Sequence, residues 1–154
     1  MQETGRYFVA IDPGPGVLGA LGEAQEELRE SGGPPIRWTR PEAMHLTLKF
    51  LGGNVARSAA EGAVAAMGPA LAGSAPFELE VRGLGAFPSP KRARVLWAGA
   101  EDPSGALSAL QSSVESEMAG LGPPTKEFHA HVTLGRLRDR RGRADLSGLI
   151  EPMA

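Results

Sequence analysis

Two short stretches of the chain decide its fold, MHLTLKFL at residues 44–51 and AHVTLGR at residues 130–136. Each contains a His-x-Thr-Leu core, and the two cores hold two of the three histidines in the chain. Apolar residues alternate with the His and the Thr, which is the period of a half-buried strand. The His and the Thr of each core should therefore project from the same side of a strand. These pairs are His45 with Thr47 and His131 with Thr133, and we interpret them as halves of one active site.

The composition is that of an ordinary globular protein, with 154 residues, 42% of them hydrophobic and 22% charged. This length is enough for one domain with a core. The sequence has no cysteine and no apolar run long enough to cross a membrane, and its first residues lack the basic start and long apolar core of a signal peptide. We therefore expect a cytoplasmic protein without disulfides, membrane association or an obligate protein partner.

The charge is nearly balanced overall but clustered locally. A net charge of −2 argues against bulk capture of duplex nucleic acid. Two segments are nevertheless cationic, residues 88–97 and residues 136–143, and the second holds five arginines and one aspartate. Such segments suit a small anionic ligand or the end of a nucleic acid strand, although they also fit ordinary solvated loops.

Hydrophobic periodicity predicts alternating strands and helices around the two His-x-Thr strands. Further strands are expected over residues 6–12, 36–39, 77–81 with a continuation to 84–87, and 93–98. Helices are expected over residues 17–30, 56–71 and 102–121, and residues 146–150 are too short to assign. Gly52 and Gly53 should end the first His-x-Thr strand, with Asn54 capping the next helix. Trp97 is expected in the core.

The order of these elements suggests an internal duplication. Each His-x-Thr strand follows a long helix and the Gly/Pro segment that ends it. This order predicts an α+β fold in which one domain, residues 1–154, contains two lobes of sheet and helices that face each other across a groove.

Two imidazoles and two hydroxyls suit reactions at a phosphodiester. The unperturbed pKa of histidine is about 6.5, so near neutral pH one ring can accept a proton while the other donates one. Threonine hydroxyls can donate hydrogen bonds to the non-bridging phosphate oxygens. A single His-x-Thr is a weak signal, but its duplication in strand contexts favours catalysis.

Three other side chains have more than one interpretation. His129 and His131 could form a two-ligand metal strand, but no recognisable ligand set completes it. We therefore expect no metal and no cofactor, and we interpret His129 as a neighbour that orients or polarises the site. Phe8 and Trp38 are candidates to stack on a base, and core packing is the alternative for each.

Four stretches, residues 6–12, 38–52, 87–97 and 128–136, together resemble the 2H phosphoesterase superfamily. Within it, the chain is similar to the RNA 2′,3′-cyclic phosphodiesterases, historically called 2′-5′ RNA ligases. The resemblance implies a bilobal, pseudo-symmetric α+β fold with two antiparallel sheets flanked by helices around a central cleft. It also implies hydrolysis of a 2′,3′-cyclic phosphate, on an RNA end or a small cyclic nucleotide, to a 2′-phosphomonoester.

The resemblance also implies residue roles. His45 would be the proton donor to the leaving 3′-oxygen, and His131 the proton acceptor that activates water. Thr47 and Thr133 would hold the phosphate, and Arg136 matches a family arginine that reaches the substrate. Strict alternation would place Arg136 on the face away from His131, and a bulge at Gly135 would turn it back. A surface ion pair is the alternative role for Arg136.

Two further functions stay open at this point. One is 2′-5′ RNA ligase activity, the reverse chemistry at the same site, and the other is a non-catalytic module that binds RNA ends or nucleotides. Family members usually continue past the point where this chain ends, so we expect either a truncated chain or a trimmed second lobe.

Overall fold

The computed structural model describes residues 3–139 and 141–153. Within those residues, six strands and four α-helices follow one another along the chain. They are β1 (Thr4–Ile11), α1 (Pro15–Glu30), β2 (Ile36–Trp38), β3 (Leu46–Ala56), α2 (Arg57–Leu71), β4 (Glu80–Phe87), β5 (Val95–Glu101), α3 (Ala106–Glu117), β6 (His131–Leu137) and α4 (Ser147–Ile150). The pairings of β6 with β2, β3 and β5, and of β4 with β5, are antiparallel, so the predicted α+β class is confirmed.

The chain divides into two compact units. The first unit contains the residues up to Ile11, Thr47–Leu79 and Asp102–His129, and the second unit contains Asp12–Leu46, Glu80–Glu101 and the residues from Ala130 onward. Each unit therefore collects segments from several parts of the chain. The duplication of two lobes within one domain stays a prediction.

The second unit is built around β6. One edge of β6 pairs with β5, and β5 in turn pairs with β4. On the other edge, β2 pairs with the C-terminal end of β6, where Ile36 is opposite Leu137. Leu46 pairs with Val132, near the N-terminal end of β6. Because β5 occupies one edge, β2 and Leu46 follow one another along the opposite edge.

Helix α1 covers one face of this sheet. Its residues and those of β4 and β5 line a cavity of about 230 Å³, with Leu21 on the helix side and Leu84 and Ala98 on the sheet side. From the same helix, the Gln25 side chain is buried and reaches the backbone of β6. The amphipathic pattern of residues 17–30 thus packs its apolar side on the sheet.

The first unit is organised around β3, which lies beside β1. The Lys49 side chain on β3 is only 1% exposed, and its Nζ lies 2.7 Å from a carboxylate oxygen of Glu115 on α3. Glu115 also accepts a bond from the Thr125 backbone N–H at 3.1 Å. Lys49 donates a second bond to the carbonyl of Pro123 at 3.2 Å. These bonds join β3 to α3 and to the segment that follows it.

Several predicted boundaries are wrong: β5 covers Val95–Glu101 rather than residues 93–98, and α3 covers Ala106–Glu117 rather than residues 102–121. Two others, the end of β3 and the start of β4, are set by pairing with a neighbouring strand. Strand β3 continues past the glycine pair to Ala56, so Asn54 lies within it and does not cap α2. Pairing with β1 persists there, because the Arg57 N–H donates to the carbonyl of Glu3 at 3.0 Å. Strand β4 begins at Glu80 rather than at residue 77, because Glu80 stands opposite Glu101, the last residue of β5.

The segment at residues 146–150, which the sequence leaves unassigned, contains the short helix α4. Across residues 3–139 and 141–153, none of the helices combines the length and the apolar character needed to cross a membrane.

Candidate active site

The second His-x-Thr stretch forms β6 in the second unit. His131 and Thr133 are half-buried, whereas Val132 and Leu134 between and after them are 0% exposed. This alternation is the one that the sequence predicts. It places the imidazole and the hydroxyl on one face of the sheet and the aliphatic side chains on the face that α1 covers.

A β-bulge interrupts β6 at Leu134. On β5, Leu96 pairs with Gly135 and the next residue, Trp97, pairs with Thr133. Leu134 is therefore an extra residue on β6. The bulge expected at Gly135 is present, with the extra residue one position earlier.

The bulge brings Arg136 to the face of β6 that carries His131. Alternate residues of β5 share one face, and the residues opposite them on β6 share it too. Opposite Gly99, Trp97 and Val95 stand His131, Thr133 and Arg136.

Close packing and hydrogen bonds hold the bulge in place. A Cβ atom on Gly135 would lie 2.5 Å from Cγ2 of Ile36 and 3.1 Å from the carbonyl oxygen of Arg37, so only glycine fits without a shift. The Leu134 carbonyl accepts bonds from the Thr39 N–H and from Nε2 of Gln25, each at 2.9 Å. The backbone of the extra residue is thus satisfied in a buried setting.

His45 joins the same face of the second unit. It directly precedes β3, whose first residue, Leu46, pairs with Val132 in antiparallel register. That register sets His45 beside Thr133, and His131 becomes its diagonal neighbour, about 7–8 Å away between backbone positions. The structure therefore brings His45, His131 and Thr133 together on one face.

Burial changes the chemistry of His45. The side chain is half-buried, and this desolvation lowers the pKa of the imidazole below its ordinary value. A lowered pKa means that the ring holds its proton less tightly than an exposed histidine does.

Thr47 and His129 belong to the first unit. Thr47 is half-buried and is the second residue of β3. His129 is exposed and precedes β6, which begins at His131. The two histidines therefore do not lie on one strand, as the two-ligand metal site would require. In the described part of the chain, the structure forms no group of three or more His, Cys, Asp or Glu side chains that could hold a metal ion.

Two aromatic rings lie against His131. The Phe87 ring meets the imidazole edge-on, with centroids 4.9 Å apart and planes at 89°, and the Trp97 ring lies 6.0 Å away. A Cβ atom on Gly85 would overlap the Trp97 ring, so glycine at that position leaves room for the indole. Trp97 is half-buried beside the histidine rather than in the core, which corrects the prediction for this residue.

A second arginine accompanies Arg136. Arg37 on β2 stands directly opposite Arg136 in the antiparallel register, so both project from the same face. Both are exposed, and within residues 3–139 and 141–153 neither forms an ion pair. The sequence pattern indicates no role for Arg37, and its only signal is a polar residue between Ile36 and Trp38.

The two candidate base-stacking residues belong to different units. Trp38 pairs with Gly135 and so projects to the other face of the sheet, where the Arg29 guanidinium lies 5.7 Å from its ring centre. Phe8 is on β1 in the first unit, where it lines a groove of about 470 Å³ with Tyr7 and Met67. The structure does not bring Trp38 to the face that carries His131.

The arginine segment after β6 is only partly described. Arg138, Arg141 and Arg143 are exposed, and Arg140 lies outside the described residues. Lys91 and Arg92, in the other cationic segment, form an exposed 3₁₀ turn after β4.

Comparison with known proteins decides the family. A family model described as LigT-like phosphoesterase matches residues 11–97 of the chain. The chain belongs to the LigT-like phosphoesterase family. The predicted resemblance and the predicted phosphoesterase class are thereby confirmed.

Several LigT-like relatives are similar over most of their length. The chain is 34% identical to an RNA 2′,3′-cyclic phosphodiesterase of Methanothermobacter thermautotrophicus, over 94% of this chain and 78% of the relative. It is also 34% identical to a protein of the same name from Aeropyrum pernix, over 89% and 77%.

Solved LigT-like structures share the fold. A crystal structure from Thermus thermophilus matches with a TM-score of 0.68 and 32% identity, over 90% of this chain and 78% of that one. Escherichia coli LigT, crystallised in complex with 3′-AMP, matches with a TM-score of 0.61 and 28% identity, over 87% and 72%.

Proposed function

We propose that the chain hydrolyses RNA 2′,3′-cyclic phosphate ends to 2′-phosphomonoesters by general acid–base catalysis with two histidines. The observation that supports this most is the placement of His45, His131 and Thr133 on one face of the second unit. Relatives at 34% identity carry the name RNA 2′,3′-cyclic phosphodiesterase, which supports the substrate class.

The proposed reaction needs one proton accepted and one proton donated. His131 takes a proton from water, whose oxygen forms the new bond to phosphorus. The bond from phosphorus to the 3′-oxygen breaks, and His45 gives its proton to that oxygen. The products are a 2′-phosphomonoester and a free 3′-hydroxyl, and solvent restores the starting protonation of both rings.

Hydroxyl and guanidinium groups hold the phosphate in this scheme. Thr133 lies beside His45, and its hydroxyl donates to a non-bridging oxygen as negative charge develops. Thr47, two residues after His45, supplies the second hydroxyl. Arg136, which the bulge returns to the same face, neutralises the phosphate with a charge-assisted bond.

The rings of Phe87 and Trp97 fix the plane of the His131 imidazole. Edge-on and tilted aromatic contacts restrict its rotation.

The test uses an oligonucleotide with a 2′,3′-cyclic phosphate end, incubated with the protein in the presence of a chelator. The position of the product phosphate is read by chromatography against 2′- and 3′-phosphate standards. We expect the 2′-phosphate. A 3′-phosphate product would contradict the proposal, and a 2′-5′ linkage to an added 5′-hydroxyl strand would identify the ligase alternative.

Histidine variants separate catalysis from binding. His45→Ala and His131→Ala should each lower kcat by about 10²- to 10⁴-fold, the usual contribution of a positioned proton donor or acceptor. Substrate affinity should stay of the same order. His129→Ala, at the third histidine, should lower kcat by much less, because a neighbour that only orients or polarises the site transfers no proton. Full turnover in either of the first two variants would exclude the mechanism, and binding without turnover by the wild type would identify a binding module.

A further inference from the structure

Arg37 and Arg136 form a pair of like charges at directly opposite positions of β2 and β6. Side chains at such positions start about 4.5–5.5 Å apart, and like charges there destabilise the sheet. Both guanidiniums are exposed, and the described residues give neither of them a carboxylate partner. A bound anion between or beside them would relieve this repulsion.

The arginine pair lies in line with the proposed catalytic pair. Residues before β3 and residues of β2 follow one another along the same edge of β6, so Arg37 stands beside Arg136 as His45 stands beside Thr133. Two residues of β5, Trp97 and Val95, span the step from Thr133 to Arg136, which is therefore about 7 Å. The arginine pair therefore extends the site along the strand direction, with Arg37 beside Arg136 on the neighbouring strand.

The charges of the possible substrates indicate which group Arg37 can bind. A nucleoside 2′,3′-cyclic phosphate carries one negative charge, and Arg136 already matches it. An RNA end carries a further negative charge at each internucleotide linkage. The planar, permanently charged guanidinium of Arg37 suits a phosphate of that kind.

We propose that Arg37 binds the internucleotide phosphate on the 5′ side of the reacting nucleotide and so makes the enzyme prefer an RNA end to a mononucleotide. This inference rests on the proposed function and names the part of the substrate that the site recognises beyond the cyclic phosphate. Arg37 contacts substrate in this proposal but takes no part in proton transfer.

The experiment compares two substrates, adenosine 2′,3′-cyclic phosphate and the dinucleotide that ends in the same group. The variant Arg37→Gln should lower kcat/KM for the dinucleotide by about tenfold or more, the loss expected for one charge-assisted hydrogen bond. It should leave kcat/KM for the mononucleotide nearly unchanged. Arg37→Lys should recover part of the loss, because it keeps the charge but not the fork of donors.

The control variant is Arg29→Gln. Arg29 is an exposed arginine of the same unit, but it lies over Trp38 on the other face of the sheet, so neither substrate should respond to its loss. Thermal melting of all variants checks that they fold, and Arg37→Lys keeps the test valid if Arg37→Gln does not fold.

Two results would overturn the inference about Arg37 and leave the proposed function intact. Equal losses for both substrates would assign Arg37 to the cyclic phosphate itself, and no loss for either would show that Arg37 does not contact substrate. If the wild-type protein hydrolyses neither substrate, the proposed function fails and this inference fails with it.

Discussion

His45 lies half-buried just before β3, and burial lowers the pKa of its imidazole. A proton donor works only while it is protonated, and its protonated fraction falls as the pH rises through its pKa. The alkaline limb of the kcat/KM profile should therefore lie below about 6.5, the ordinary histidine value. Measurement of kcat/KM for a cyclic phosphate substrate across the acid and neutral range checks this.

The same shift has a consequence for stability. The folded state favours neutral His45, so the unfolded state binds more protons between the lowered pKa and about 6.5. Stability contributed by this residue is present at higher pH and is lost as the pH falls through that window. Titration of the His45 ring by nuclear magnetic resonance reports its pKa directly, and a value above about 6.5 in the free protein would contradict both expectations.

Single residues differ in how clearly the sequence marks them as candidates. His45 and His131 stand out as candidate site residues because each lies in a short local pattern that occurs twice. Contacts of the His131 ring with Phe87 and Trp97, and the pairing of Arg37 with Arg136, depend on which residues of neighbouring strands are opposite one another. Local periodicity does not determine that register, so these partners become visible only in the structure.

At the scale of elements, β6 depends on a glycine at its bulge. A Cβ atom on Gly135 would meet Ile36 at 2.5 Å, so Gly135→Ala requires β2 to shift or the bulge to be lost. We expect this variant to be destabilised by about 1–3 kcal/mol, the usual cost of overpacking, and to have a lower kcat/KM because Arg136 moves. Denaturant unfolding and kinetics with a cyclic phosphate substrate measure the two effects.

Another glycine of the second unit provides the control. A Cβ atom on Gly148, in α4, would meet no atom within 4 Å, so Gly148→Ala should be neutral or slightly stabilising. Equal stability of Gly135→Ala and wild type would show that the close approach to Ile36 does not constrain the strand.

Elements are better predicted at their centres than at their ends. The alternation around His131 and the helical period of residues 17–30 both correspond to observed elements. The end of β3 and the start of β4 do not follow local signals, because the extent of β1 and β5 determines how long pairing continues. Gly53 and Asn54 remain in a strand despite their preference for turns, which shows tertiary pairing overriding propensity.

At the scale of the whole molecule, the buried ammonium of Lys49 should make stability sensitive to the loss of its carboxylate partner. The Lys49 side chain is 1% exposed, while its partner Glu115 is 26% exposed. Glu115→Ala would leave a buried ammonium without its carboxylate, and we expect a loss of about 3–5 kcal/mol in the free energy of unfolding. Lys49→Met removes the buried charge itself and should cost clearly less.

Denaturant unfolding of both variants measures this difference. Both variants lose the same ion pair, but only Glu115→Ala leaves a buried charge unpaired, and it also removes the acceptor of the Thr125 N–H. A Lys49→Met variant as unstable as Glu115→Ala would show that the pair itself, rather than the uncompensated charge, carries the effect.

The sequence predicts the fold class of the whole molecule, but it does not predict where the chain divides into its two units. An α+β fold and the phosphoesterase family both follow from motifs that recur in order along the chain. The two units, however, alternate along the chain, and the boundary between Leu46 and Thr47 falls inside the first His-x-Thr stretch. Long-range packing determines such a division, and no local pattern marks it.

Because Leu134 is an extra residue on β6, the number of residues between two side chains determines whether they share a face of the sheet. His131 and Arg136 are an odd number of positions apart, which in a regular strand would turn them to opposite sides. A chain that lost one residue here would keep both His-x-Thr motifs and the arginine in its sequence, yet it would aim the guanidinium into the aliphatic layer beneath α1. An intact motif in a relative therefore does not place the arginine on the same face as the histidine unless the number of residues between them is also preserved.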